Sequence, residues 1–147
     1  MIRVVLDANV LVSALISPRG IPAQVLKAWR DERFHLVTSQ AILAEIDRVL
    51  QYPKTRKRHG MSDSEIKEWI DDVAHLAVLV PGQITVAVII EDPADNRYLE
   101  CALEGEAESI VSGDQHLLKL KRYEHIDVLT PRAFLDVLKG QHKREKA

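Results

Sequence analysis

Short apolar runs bounded by turn residues alternate along this chain with longer segments that repeat apolar positions at helical spacing. The short runs are rich in β-branched residues, which favours strands over short helices. The predicted strands cover residues 2–6, 34–38, 85–90, 109–112 and 126–129. Between and after them, start and stop signals such as Pro18, Gly20, Pro53 and Pro81 delimit predicted helices. These helices cover residues 22–33, 39–51, 62–80, 93–103, 114–120 and 131–138.

Strands that alternate with helices need crossover connections, which produce a mainly parallel sheet covered by helices on both faces. The pattern therefore predicts an α/β fold, a three-layer α/β/α sandwich with a mainly parallel central sheet. No internal repeat or linker interrupts the pattern in the sequence, so we predict a single domain over residues 1–138. A polar C-terminal tail is predicted over residues 139–147.

The composition is that of one self-sufficient domain. The chain has 147 residues, of which 46% are hydrophobic, enough to fill a core without disulfides or a structural metal. Charged residues make up 29%, and no apolar run approaches the roughly 20 residues of a membrane span, which excludes the disordered and membrane classes. We expect a cytoplasmic protein with no signal peptide and no membrane partner.

Cysteine content and net charge limit which metal sites and which binding partners the sequence favours. The single Cys101 is expected to be a small buried residue in a helix, and the spacings typical of zinc sites are absent from the sequence. The formal net charge is -2, so any contact with nucleic acid requires a local basic patch.

Carboxylates follow three of the predicted strands at the points where those strands end. Asp7 follows the first strand, Asp95 lies just beyond the third, and Asp114 follows the fourth. Because the carboxyl ends of parallel strands share one edge of a sheet, and ligands bind in the crevice beyond that edge, we expect these three acids to converge.

A fourth acid, Glu45, comes from the helix after the second strand. The apolar stripe of that helix contains Ile42, Ile46 and Val49, and Glu45 falls just beyond the edge of the stripe. Glu45 can therefore lean into the same cleft. Pairing with Arg48 three residues later is the alternative, and in isolation it is the favoured interpretation.

Helix capping is an alternative explanation for the strand-end acids taken singly. Asp7, Asp92 and Asp114 all stand where helix N-caps belong. Capping does not require all the acids to lie on one sheet edge, and it does not explain Asn9 beside Asp7 or Ser112 beside Asp114. For Asp92, which precedes Pro93, we favour the cap.

Clustered carboxylates require a compensating cation. Two unit charges about 4 Å apart repel by about 1 kcal/mol in water and by about 4 kcal/mol at an effective dielectric of 20. Oxygen ligands without His or Cys suit Mg²⁺ or Mn²⁺, which also engage phosphate oxygens. Metal-assisted hydrolysis of nucleic acid is therefore the leading hypothesis for function.

Four ordered motifs resemble those of the PIN-domain nucleases and, more narrowly, of the PIN-family (VapC-like) toxins of prokaryotic toxin–antitoxin systems. The motifs are VVLDANV at residues 4–10, Glu45 in a helix, DPADNRYLECA at residues 92–102, and IVSGD at residues 110–114. The likeness extends over residues 2–138 and includes the segment LTPRAFL at residues 129–135.

The resemblance implies an endoribonuclease that depends on Mg²⁺ or Mn²⁺ and uses Asp7, Glu45, Asp95 and Asp114 as its catalytic acids. In that reading Asp7 and Asp114 hold the metal most directly and Asp95 completes the metal site, while Glu45 binds through water or orients the nucleophile. Asn9 and Ser112 are implied as supporting hydrogen-bonding residues, and Asp92 as either a supporting acid or an N-cap. Besides the RNA substrate, the implied partners are a small antitoxin protein and a second copy of the chain.

A basic run precedes the predicted helix at residues 62–80. Lys54, Arg56, Lys57 and Arg58 are candidates for contacts with RNA phosphates, and a solvated connector between two helices is an equal alternative. His116 lies two residues after Asp114, but a lone His near a helix start is more often structural, so it is assigned no role.

Two other function classes are retained as alternatives. One is a PIN-like module that binds RNA or a partner without cleaving it. The other is a Mg²⁺-binding phosphoacceptor signalling domain, which is disfavoured because a single acid follows the first strand and the last strand leads to Thr130 and Pro131 rather than to a Lys.

Overall fold

The computed structural model describes residues 1–146, with side chains described through residue 141. A six-stranded sheet lies at its centre, in the order β3-β2-β1-β4-β6-β5. Every neighbouring pair of strands is parallel except the antiparallel pair β5 and β6. The strands are β1 (Arg3–Leu6), β2 (His35–Ser39), β3 (Val78–Val80), β4 (Ser109–Val111), β5 (Arg122–Tyr123) and β6 (Ile126–Leu129). The predicted mainly parallel sheet is confirmed.

The described residues form eight α-helices, and these cover both faces of the sheet. They are α1 (Ala8–Ile16), α2 (Ile21–Arg30), α3 (Gln40–Gln51), α4 (Pro53–His59), α5 (Asp63–Leu76), α6 (Asn96–Glu104), α7 (Gln115–Leu118) and α8 (Pro131–Lys146). Because crossover connections between parallel strands are right-handed, the strand order puts α1 to α5 on one face and α6 and α7 on the other. Because α8 packs against α2, it joins the first face. This arrangement is the predicted α/β/α sandwich.

The core is densest around the central strands. Val4 and Val5 of β1 and Ile110 of β4 have no solvent-exposed surface. Phe34, just before β2, packs edge-to-face on Phe134 of α8, with ring centroids 5.0 Å apart. On the opposite face, a Cβ at Gly105 would lie only 2.3 Å from Cγ1 of Val37, so glycine is required for the end of α6 to approach the sheet.

The order of the strands creates a crevice between the carboxyl ends of β1 and β4. The chain runs outward from β1 through β2 to β3, and then returns past β1 to form β4 on its other side. When the connections after two neighbouring strands run to opposite sides of the sheet, an opening remains at the carboxyl ends of those two strands. Ligands bind in such openings in open α/β sheets. The backbone N–H of Asp7 donates to the carbonyl of Val111 at 3.0 Å, so the pairing of the two strands continues to the edge of this crevice.

The predicted strand at residues 85–90 is wrong. Residues 82–89, which we call the α6 strap, are irregular, and the edge strand is instead β3, inside the region predicted as a continuous helix over residues 62–80. The backbone amides of the α6 strap donate to side chains spaced four residues apart on α6, at distances of 2.9–3.1 Å. The acceptors are Asn96, Glu100 and Glu104, and the donors are Gly82, Gln83, Val86, Val88 and Ile89. The backbone of the α6 strap therefore donates its hydrogen bonds to side chains of α6 and not to the neighbouring strand that the apolar pattern suggested.

Other segments also differ from the predictions. The helix α1 and the short strand β5 were not predicted, and the basic run forms the short helix α4, which connects α3 to α5 and has no buried residue. The final helix continues through Lys146, into the segment assigned to the tail, whereas Ala147 lies outside the described residues. Cys101 is buried within α6, as predicted. Across residues 1–146, no helix is both long enough and apolar enough to cross a membrane.

Replacement of Asn96 by Ala should loosen the α6 strap. The Asn96 side chain accepts hydrogen bonds from two strap amides and donates to the carbonyls of Ile89 and Pro93, and it is buried. At a net value of about 0.5–1.5 kcal/mol for each of these four hydrogen bonds, Asn96→Ala should lower the free energy of unfolding by about 2–6 kcal/mol. Chemical denaturation measures this loss, and limited proteolysis should show faster cleavage within residues 82–92.

Glu104→Ala provides the matched control, because the amides that Glu104 accepts from are at the exposed end of the strap. It should cost less than about 1 kcal/mol. Equal losses for the two variants would show that Asn96 has no special part in holding the strap.

Candidate metal centre

Four side chains that can bind metal meet beside the crevice. Ligand atoms of Asp92, Asp95, Asp114 and His116 all lie within 4.8 Å of one another. The first two residues come from the 3-10 turn that precedes α6, and the other two come from the connection between β4 and α7 and from α7 itself. We call these four residues the acid–histidine group. It combines three carboxylates with one imidazole.

Asp114 is oriented by the start of α7. Its Oδ1 accepts hydrogen bonds from the backbone N–H groups of His116, at 2.7 Å, and Leu117, at 3.4 Å, so it caps that helix. Its own N–H donates to the hydroxyl of Ser112 at 2.9 Å. Asp114 therefore caps α7 and also belongs to the acid–histidine group, so the capping and site explanations of this acid hold together.

Asp95 has the least compensated charge in the group. Its side chain is 7% exposed, and its Oδ2 is shielded from solvent without a hydrogen-bond partner. Burial, which is the largest cause, and the charges of nearby carboxylates together raise the pKa of Asp95 to about 7. These carboxylates are Asp114, Asp92, Asp7 and Glu45. A shielded, unpartnered carboxylate oxygen among other acids fits the donor chemistry of a bound divalent cation.

Asp7 lies deeper than Asp95 and outside the acid–histidine group. It follows β1 directly, is 3% exposed, and caps α1 by accepting a hydrogen bond from the N–H of Asn9 at 3.0 Å. Its Oδ2 accepts a hydrogen bond from the hydroxyl of Ser112 at 2.7 Å. Burial raises the pKa of Asp7, and the hydrogen bonds from Ser112 and Asn9 partly oppose that shift. Because Ser112 also accepts from the N–H of Asp114, this hydroxyl connects the two strand-end acids.

Glu45 is held at the other side of Asp7 by residues of α6. Its Oε2 accepts a hydrogen bond from the Tyr98 hydroxyl at 2.6 Å and lies 3.4 Å from Nη1 of Arg97. Arg48 lies 3.8 Å from Oε1, so both predicted environments of Glu45 occur together. The Tyr98 hydroxyl also accepts from the N–H of Ala8 at 3.3 Å. Burial, followed by the charges of Asp7 and Glu45, raises the pKa of Tyr98, which keeps the hydroxyl protonated as a donor.

Only some of the predicted site residues lie together in the acid–histidine group. Asp95 and Asp114 meet as predicted, and Asp7 and Glu45 lie beside them without joining the acid–histidine group. It is the backbone N–H of Asn9 that contacts Asp7, while the side chain of Asn9 is exposed.

Two members of the acid–histidine group differ from what the sequence predicts for them. Asp92 occupies the predicted N-cap position of the 3-10 turn, but its side chain makes no capping hydrogen bond and a carboxylate oxygen lies in the group instead. His116 was assigned no role, yet a ring nitrogen lies in the group. The spacing Asp-x-His at a strand-to-helix connection was the available signal, since the first turn of a helix places both side chains near its N-terminal end.

The basic residues of α4 differ in their exposure. The guanidinium of Arg56 contacts the carboxylate of Asp63 and the side chain of Gln51, which joins α4 to the neighbouring helices. Lys54, Lys57 and Arg58 are exposed. Three of the four predicted RNA-binding residues are therefore accessible to a phosphate backbone, and Arg56 is engaged within the chain.

The pKa of Asp95 predicts how the stability of the metal-free protein depends on pH. The unfolded chain releases the Asp95 proton near the ordinary pKa of 3.8, whereas the folded chain retains it up to about 7. Between these values the unfolded state binds fewer protons, so stability falls as the pH rises. The thermal midpoint of the wild type, measured in EDTA, should therefore decrease relative to that of Asp95→Asn from pH 4 to pH 7.

The exposed Asp136 on α8 offers a control for this measurement. Asp136→Asn should follow the wild type throughout the pH range. A constant difference between the wild type and Asp95→Asn across the window would contradict the raised pKa.

Comparisons with known proteins agree with this geometry. The sequence model of a family described as PIN domain matches residues 3–116, a range that contains the acid–histidine group. An uncharacterized protein of Methanocaldococcus jannaschii, MJ1680, is 32% identical over 143 residues, which cover 92% of this chain and 90% of that protein. The chain therefore belongs to the PIN domain family, whose members are generally metal-dependent nucleases.

Proposed function

We propose that this protein is a metal-dependent endoribonuclease that hydrolyses phosphodiester bonds of RNA, with Mg²⁺ or Mn²⁺ as its cofactor. The observation that carries the proposal is the buried Asp95, whose unpartnered oxygen lies among other acids at the crevice of a PIN domain. Such a site is costly for a protein to maintain without a cation, because burial and like charge both disfavour ionised carboxylates.

Asp95 and Asp114 are the residues that would hold the metal, with Asp92 and Asp7 beside them. When bound there, a divalent ion offsets the negative charge of a phosphodiester and makes a water molecule more acidic. The protein contributes the orientation of the ligands. Asp114 is fixed by the start of α7 and Asp7 by the start of α1, and the Ser112 hydroxyl connects them.

Glu45 is placed to orient the attacking water. Tyr98 and Arg97 engage Oε2, whereas Oε1 faces Arg48 at 3.8 Å, which is beyond hydrogen-bond distance. Oε1 can therefore accept a hydrogen bond from a water molecule. Arg97 and Arg48 also place positive charge within 4 Å of the Glu45 carboxylate, which partly balances the negative charge of the neighbouring acids.

The choice of RNA as substrate, and a role as the toxin of a toxin–antitoxin pair in the cytoplasm, rest on the resemblance of the four sequence motifs. A small antitoxin protein and a second copy of the chain are the proposed partners. For RNA, the exposed residues Lys54, Lys57 and Arg58 of α4 are the proposed phosphate contacts.

Loss of an acidic ligand should abolish cleavage. Purified protein should degrade total RNA in Mg²⁺ or Mn²⁺ and not in EDTA, and Asp95→Asn, Asp114→Asn or Asp7→Asn should reduce the rate at least 100-fold, about 2.7 kcal/mol of barrier. Asn keeps the oxygen that caps α7 or α1, so these substitutions test the charge with little change in shape.

Asp136→Asn, purified identically, is the control for this assay and should cleave at the wild-type rate. Equal activity in the wild type and the site variants would show that a contaminant or a different site performs the cleavage. Binding of RNA without cleavage in either metal would favour a non-catalytic module.

Neutralising α4 should weaken RNA binding in a salt-dependent way. Replacing Lys54, Lys57 and Arg58 together by Gln removes up to three phosphate contacts, and each contact contributes about 0.7 to the slope of log K against log salt for a single strand. Binding measured from low to moderate salt should show a lower affinity and a shallower slope, while the cleavage rate at saturating RNA persists.

A variant with the same change in charge on another part of the surface is the control. Lys27, Arg30 and Arg132 are exposed residues of α2 and α8. Their joint replacement by Gln should leave the slope unchanged, and a comparable decrease in both triple variants would assign the effect to net charge alone.

A further inference from the structure

The imidazole of His116 is the one member of the acid–histidine group for which the nuclease proposal has no use. Its Nδ1 lies 3.8 Å from Oδ1 of Asp114, too far for a hydrogen bond, and the side chain is 43% exposed. The backbone N–H of His116 donates to Asp114, and the next residue, Leu117, is fully buried. The start of α7 is therefore fixed in place, and it presents the ring beside the carboxylates.

We infer that His116 is a metal ligand, which with Asp92, Asp95 and Asp114 forms a mixed nitrogen–oxygen site that prefers a first-row transition ion to Mg²⁺. The inference rests on the proposed function only in placing the metal at this crevice. It adds two ligands, Asp92 and His116, and a metal preference that an all-carboxylate site does not imply.

The dimensions of the group fit a single ion. Ligands at about 2.1 Å on opposite sides of one ion are separated by about 4.2 Å, and adjacent ligands by about 3 Å. The four ligand atoms all lie within 4.8 Å of one another. Displacements of less than about 1 Å for each atom would therefore bring them to bonding distance, which is within the range of a side-chain adjustment at a partly exposed site.

An independent observation also points to a ligand at this place. Oδ2 of Asp95 is shielded from solvent and has no hydrogen-bond partner, although Asp95 belongs to the same group. A buried carboxylate oxygen is nearly always hydrogen-bonded or coordinated. In this group the neighbouring side chains are acids and one imidazole, so a bound cation is the partner that satisfies the oxygen.

The imidazole determines the preference among ions. Mg²⁺ favours oxygen ligands and dehydrates reluctantly, whereas Mn²⁺ and the later first-row ions accept imidazole nitrogen with increasing affinity along the series. A neutral nitrogen donor also adds a ligand without adding a fourth negative charge to three carboxylates. His116 should therefore contribute strongly to binding of a transition ion and little to binding of Mg²⁺.

Metal binding to the purified full chain tests this inference, with Mn²⁺ and Mg²⁺ as the probes. Titration calorimetry should show that His116→Ala weakens Mn²⁺ binding at least tenfold, about 1.4 kcal/mol, and changes Mg²⁺ binding less than twofold. Asp92→Asn should weaken the binding of both ions. His116→Gln, which keeps a polar side chain of similar length, should behave as His116→Ala does.

Pulsed electron paramagnetic resonance of the Mn²⁺-loaded protein gives a readout that is independent of activity. The wild type should show the nitrogen hyperfine coupling of a directly bound imidazole, and both His116 variants should lose it. His125→Ala, which removes another exposed histidine, should retain the coupling and the Mn²⁺ affinity of the wild type.

The outcomes separate this inference from the proposed nuclease function. Mn²⁺-dependent cleavage of RNA without nitrogen coupling in the wild type would overturn the role of His116 and leave the nuclease intact. Nitrogen coupling in a protein that cleaves no RNA would support the metal site and overturn the nuclease. Equal loss of Mn²⁺ and Mg²⁺ binding in His116→Ala would overturn the metal preference.

Discussion

The parallel pairing of β1 with β4 is the constraint on which the rest of the site depends. The two strands are separated by about a hundred residues of sequence, and their register places Leu6 beside Val111. The residues that follow them, Asp7 and Asp114, are therefore brought to one edge by backbone hydrogen bonds. The Ser112 hydroxyl then links the two residues, because it donates to the carboxylate of Asp7 and accepts from the backbone N–H of Asp114.

The acids at this edge of the sheet differ in how far hydrogen bonds and ion pairs offset the free-energy cost of burying them close together. Asp7 is compensated by Ser112 and by the start of α1, and Glu45 by Tyr98 and Arg97. Asp95 receives no comparable donor to its Oδ2 among the described residues. The protein thus compensates Asp7 and Glu45 with its own donors and leaves one buried carboxylate oxygen without a partner, which is the arrangement expected where function takes precedence over stability.

The sequence predicts the elements whose signals are local. The strands β1, β2, β4 and β6 and the helix α3 follow from apolar runs, caps and prolines near the predicted bounds. Asp114 was predictable for the same reason, since it follows an apolar strand, whereas Asp95 was predicted beyond a strand at residues 85–90 that does not form and is positioned instead by the 3-10 turn before α6. The match to the PIN domain family also agrees with the four motifs and argues against the phosphoacceptor alternative.

The misplaced elements depend on contacts that are distant in sequence. Residues 85–90 have the composition of a strand, but Asn96 and two glutamates of α6 bind the backbone of the α6 strap from the side. The position of Asp92 depends on the path of that strap, and the position of His116 on the anchoring of α7 by Leu117. No local pattern encodes the path of the strap, whereas the spacing of Asp114 and His116 is a local signal, so the acid–histidine group could be predicted only in part.

The two halves of the acid–histidine group are held in place by different parts of the fold. Asp114 and His116 follow a fully buried strand, whereas Asp92 follows a backbone segment held by polar side chains that water can compete with. Segments with few buried apolar contacts open at a lower free energy than the core does. The group therefore joins a segment that follows a buried strand to one that follows the strap, and a ligand that binds both halves would couple local opening of the strap to its own dissociation.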